Sequence, residues 1–124
     1  TAPTITGGTL AANTVYDAQI TLLNESESPV EDITEEVEAE QEDHQFFFST
    51  AGGLNLSVSY ADQDANGNPL GLITTCTSGD SSSGNLMVIL RHEPDKNAAG
   101  VKDGDITNAG GETDIEVTFP IVIQ

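Results

Sequence analysis

Two sets of residues in this sequence have the types and spacing that hold a cation. The first is YADQDANGNPLG, from Tyr60 to Gly71. Asp62, Asp64 and Asn66 alternate and Gly67 follows, as in the first half of an EF-hand-like loop. Calcium takes roughly six to eight hard oxygens, and alternate Asx side chains in a tight turn converge on one point. Asn68 stands where such a loop would offer a backbone carbonyl. Ile73 stands where the closing bidentate Glu belongs, so a true EF-hand is excluded and a distant carboxylate would have to complete the site. The alternative is a polar hairpin whose Asx side chains bond their own backbone.

The second set is the histidines, His44 in EDHQFFF and His92 in LMVILRHEP, the only two in the chain. Each ends a candidate strand beside carboxylates, Glu42 and Asp43 for one and Glu93 for the other. Neutral imidazole is the commonest ligand for zinc, and neighbouring carboxylates tune it. If the two strand ends meet in space, the pair plus one acid suits a transition metal; otherwise both are surface residues at strand termini. A third, weaker set of oxygens is Asp103, Asp105, Asn108, Glu112 and Asp114 in DGDITNAGGETD, which also reads as a solvated loop. The cofactor expectation is therefore calcium or zinc, at Asp62, Asp64, Asn66 and Asn68 or at His44 and His92.

Nothing points to catalysis. The chain has no Ser-His-Asp signature, no glycine-rich phosphate loop after a strand and no HExxH. Cys76 in GLITTCTSG is the only cysteine, which excludes an internal disulfide and reads as a small hydrophobe. Aromatic residues are 5% of the chain, too few to suggest a sugar-stacking platform, so a carbohydrate-handling module ranks third among the functions.

The elements that must position these groups read as strands. Tyr16, Ala18, Ile20 and Leu22 share one face, and Ile115, Val117, Phe119, Ile121 and Ile123 form a period-two stripe. The strand around Leu86, Val88 and Leu90 is apolar on both faces, and HQFFFST and LNLSVSYAD are two more. Short strands between Gly, Asn, Asp and Ser turns predict an all-β fold: a single immunoglobulin-like antiparallel β-sandwich domain over 1–124. Pro120 has no N–H to donate, which puts its strand at an edge or gives it a bulge there. The acidic segment 25–43 is ambiguous. Ser28, Pro29 and Glu31 could open a helix, but Ile33, Glu35, Val37 and Ala39 also alternate, and like charges repel on a helix. The extended reading is slightly preferred.

Net charge is −18, with 21 acids against three bases, Arg91, Lys96 and Lys102. Binding nucleic acid or an anionic membrane surface needs clustered Lys and Arg, so neither is a partner. Cations, basic partners or simple solubility fit better. No apolar run approaches the roughly 18 residues that span a bilayer. The opening TAPTITGG reads as a mature or trimmed start, with any signal lying upstream.

Several stretches, among them LAANTVYDAQITLLNES, DANGNPLGL, LRHEPDKNAAGV and GDITNAGG, resemble small secreted lipoproteins of Bacteroidota often labelled "type 1 periplasmic binding fold superfamily protein". The chain is too short and too β-rich for the two-domain α/β fold of that label. The resemblance implies an upstream lipid anchor as the only membrane attachment, and a place at the outer membrane or cell surface of a Gram-negative bacterium. It also implies an accessory role beside a TonB-dependent outer-membrane receptor, and it includes both histidine motifs. The functional expectation is a non-catalytic surface domain, not an enzyme, that binds a cation or docks through its acidic face. The alternative is a structural subunit that self-assembles by strand-edge pairing.

Overall fold

The computed structural model describes residues 5–26 and 28–124; residues 1–4 and Glu27 of the acidic segment lie outside the described residues. Period-two burial organises the chain into two packed sheets. One has the order β1 (Gly8–Leu10), β9 (Glu112–Ile123), β8 (Ser82–His92), β5 (His44–Ala51). The other has the order β2 (Val15–Gln19), β7 (Ile73–Ser78), β6 (Leu56–Tyr60). Lettered in chain order with the acidic insertion left out, these sheets are A-G-F-C and B-E-D. That is the immunoglobulin pairing with the first strand moved to the other sheet. The move makes β1 parallel to β9, the one exception to the antiparallel expectation among these strands.

The sheets meet over Phe46, Leu70, Leu72 and Leu90, with Phe48, Val88 and Ile115 packed against them. At the other end Leu54, Leu56 and Ile123 close the core, and half-buried Cys76 packs there as a small apolar group. The outward apolar face of β5 and β8 is covered by the loop after His92, whose Val101 and Ala109 bury against Phe47 beside Ile89. This long loop is thus a lid on the sheet. Asp105 caps its 3-10 turn by accepting from Thr107 N, and Asn108 Nδ2 donates to Ala99 O, so both side chains serve the loop's own backbone.

Two sequence expectations need correction or refinement. The preferred extended reading of 25–43 fails at α1 (Ile33–Ala39). Two-residue strands β3 (Leu23–Asn24) and β4 (Glu31–Asp32) pair just before it. The helix then starts at Asp32, not Ser28, because the Asp32 carboxylate accepts from Thr34 N at 3.0 Å. Thr34 Oγ1 accepts from Leu22 N, tying the helix to the chain leaving β2. Burial of Val37 and Thr34 outweighs the few tenths of a kcal/mol that each like-charge pair costs. Pro120 is not at an edge: β9 lies between β8 and β1, and Gly7, just ahead of β1, sits directly against the Pro120 ring and carbonyl. The bulge lies elsewhere in β9, opposite Leu90 and Arg91.

Candidate metal centre

The loop at Asp62 already holds a cation, and it belongs to the chain. Lys96 Nζ lies 2.8 Å from Asp64 Oδ2, and both side chains are almost wholly buried. The ammonium also donates to Gln41 O at 2.8 Å and Pro69 O at 3.2 Å, which uses its three protons. The other Asp64 oxygen accepts from Asn66 N and Asn68 N. Burial alone would raise the Asp64 pKa, yet the Lys96 ammonium and these two N–H donors bring it below its ordinary value. Asp62 faces away from that point: Oδ1 accepts from Gly71 N, and Oδ2 from Leu72 N and Ile73 N. The Asn68 carbonyl, the expected backbone ligand, accepts from Asp64 N at 2.7 Å. The calcium expectation for Asp62, Asp64, Asn66 and Asn68 is therefore corrected. The oxygens of Asp62 and Asp64 and the Asn68 carbonyl are engaged by protein donors, and the Lys96 ammonium sits on Asp64. Nothing local in the sequence signalled Lys96, which arrives from a loop far along the chain.

The histidines, by contrast, are brought together. Antiparallel pairing of β5 with β8 sets His44 directly opposite His92. Their rings stack, with centroids 4.8 Å apart and planes 15° from parallel. They lie at the end of the sandwich where the chain passes from α1 into β5 and from β8 into its lid. The Glu40 carboxylate joins them, with one ligand atom from each of the three within 4.8 Å of the others.

Hydrogen bonding orients the inner ring. His44 Nδ1 lies 3.0 Å from the Glu40 carbonyl, which can only accept, so Nδ1 carries a proton. In the neutral ring that leaves Nε2 with its lone pair, the usual arrangement of a metal-ligating histidine. Nε2 faces Asp114 Oδ2 at 3.6 Å. A lone pair and a carboxylate oxygen at that distance repel unless a cation lies between them. The cation can be a proton on the ring or a metal: bonds of ~2.1 Å at a tetrahedral ion put two ligand atoms ~3.4 Å apart. His92 Nε2 lies 4.0 Å from the Glu93 carboxylate, and the ring is about one-third exposed. The near-parallel rings direct their lone pairs side by side, so sharing one ion requires the His92 ring to turn. A cleft of about 440 Å³ adjoins the site, lined by Glu36, Val37, Glu40, His44 and Asp114 among others. Glu31 and Glu40 crowd Glu36 and raise its pKa, Glu31 through both a hydrogen bond and its charge. The cleft therefore attracts positive charge.

Sequence reasoning found both histidines and named Asp114 only as a weak loop oxygen. It missed Glu40, whose role depends on α1 ending there. No protein-family model matches the chain, and no match is found among curated proteins or solved structures.

Proposed function

We propose that this chain is a non-catalytic β-sandwich module that binds a divalent transition-metal ion, zinc or copper, through His44, His92 and Glu40 with Asp114 beside them. The observation that carries the reading is His44 held by its Nδ1 on the Glu40 carbonyl, with the Asp114 carboxylate 3.6 Å from its Nε2. Two imidazoles with carboxylates suit zinc and copper better than calcium, which prefers all-oxygen sets. The resemblance to Bacteroidota surface lipoproteins supports a setting at a Gram-negative outer surface, as an accessory to an outer-membrane receptor. The excess of carboxylates would there concentrate cations near the site.

The test is thermal unfolding and calorimetric titration with zinc, copper and calcium, for the wild type and for His44→Ala and His92→Ala. An ion that binds only the folded chain stabilises it by about 2.7 kcal/mol at a hundredfold excess over its Kd. Zinc or copper should raise Tm in the wild type, and each substitution should abolish most of the shift. No shift with either ion at millimolar concentration, or an equal shift in both variants, discards the reading.

A further inference from the structure

Among the described residues, the sandwich is open along one side. Sheet order places β9 between β8 and β1, but β1 covers only Ile121–Ile123. From Glu112 to Phe119 no strand pairs with the outer edge of β9, and no other backbone hydrogen bond reaches it among the described residues. At ~3.4 Å per residue this is an unpaired edge ~27 Å long. The free edge of β2 lies across the opening, since β2 pairs only with β7. Between them a cleft of about 370 Å³ runs into the core. Its walls include Ala18 and Ile20 on the β2 side and Ile115, Val117 and Phe119 on β9. These five side chains are half-buried, not sealed. For scale, a cavity of about 150 Å³ already admits benzene.

We infer that this open side is an acceptor groove for an extended peptide of a partner protein, one that alternates apolar with basic residues. The groove adjoins the metal centre, sharing Asp114 and Ile115 with it, but the inference does not rest on metal binding. Two features select a polypeptide over a lipid or another small apolar ligand. Beyond the bulge, from Ile115 to Phe119, the outer edge of β9 offers N–H and C=O groups in ladder register, which an acyl chain cannot pair. The cleft is lined by alternate residues of β9, so a strand added to that edge sends every second side chain into it. Charge selects the partner. Glu112, Asp114 and Glu116 on β9 and Asp17 on β2 are exposed, and β2 and β9 contain no Lys or Arg. A basic side chain on an outward position of the incoming strand would pair across to Glu116, while Glu112, Asp114 and Asp17 add negative potential around the groove. A second copy of this chain is disfavoured, since each carries −18.

The experiment titrates the full chain, with a chelator present so that the metal site is silent, against three synthetic peptides of about eight residues. One alternates Val with Lys, one has the same composition in shuffled order, and one alternates Val with Glu. Hydrogen exchange of backbone amides locates the contact. The Val/Lys peptide should bind at least about tenfold more tightly than either control, a difference of about 1.4 kcal/mol. It should also slow exchange between Thr113 and Phe119, and added salt should weaken it. The variant Val117→Asp, which puts a charge in the cleft, should lose the binding. If that variant fails to fold, the peptide comparison still decides. Equal binding of the shuffled peptide, or protection confined to α1, would show charge attraction alone and overturn the inference. So would protection of the β9 edge in the peptide-free protein, whether in a monomer or through self-association seen by sedimentation.

Discussion

Lys96 and Asp64 form an ion pair at 2.8 Å with both side chains shut away from solvent. The pair joins three segments: the 60–71 loop, the turn after α1 through Gln41, and the lid after β8. Taking either charge away leaves the other buried and alone, which costs about 3–5 kcal/mol. Lys96→Ala and Asp64→Ala should each lower stability by that amount in urea or thermal unfolding. The double variant should cost much less than the sum, because neither charge is then stranded. Calcium should leave the wild-type Tm unchanged through this loop.

Acid should act through the same carboxylate. The folded-state pKa of Asp64 lies below its ordinary 3.8, so folding favours the ionised form. Its contribution is complete above that unfolded value and is lost as pH falls through the lower folded one. Wild-type stability should therefore drop steeply below pH ~4. Asp64→Asn, already weakened at neutral pH, should show a shallower loss over that range. Chemical denaturation between neutral pH and strong acid measures both slopes; parallel slopes would mean other carboxylates dominate.

The sandwich was legible in the sequence because alternation is local. Ile115, Val117 and Phe119 announce a strand without reference to any other segment. The two histidines could be named but not joined, since their meeting depends on the register of β5 against β8. The Asp62 loop misled for a related reason. Its spacing fits calcium, but the cation comes from Lys96, a contact that only tertiary packing creates. α1 was misread because its apolar residues serve both a helix face and an alternating strand. Asp32 and Leu22 decide between them, through a cap and a bond to Thr34.

That decision can be reversed in part. Removing an N-cap carboxylate costs about 1 kcal/mol, so Asp32→Ala should destabilise by that amount and Asp32→Ser by less. Thr34→Val keeps the shape but deletes the hydroxyl that accepts from Leu22 N at 2.7 Å. It should cost about 1–3 kcal/mol, since a donor in a half-buried place loses its partner. Amide exchange across Thr34–Ala39 should quicken in both alanine and valine variants, while the strands β8 and β9 keep their protection.

The carboxylate opposite His44 gives the sharpest check on the metal centre. Asp114 lies 3.6 Å from Nε2, and Glu40 orients the same ring through a backbone carbonyl that no side-chain change removes. Asp114→Asn keeps the shape and withdraws the charge, so zinc affinity should fall about 10–100-fold, the usual cost of losing a carboxylate around a metal-ligating histidine. Glu40→Gln should weaken binding as well, but leave the His44 ring in place because its carbonyl contact persists. Nitrogen chemical shifts of the imidazoles distinguish the two cases. In the metal-free wild type and in Glu40→Gln, the His44 shifts should report a protonated Nδ1. On adding zinc the Nε2 signal should move in the wild type, and move only at much higher zinc in Asp114→Asn. If Asp114→Asn binds zinc as tightly as the wild type, that carboxylate serves only the metal-free ring.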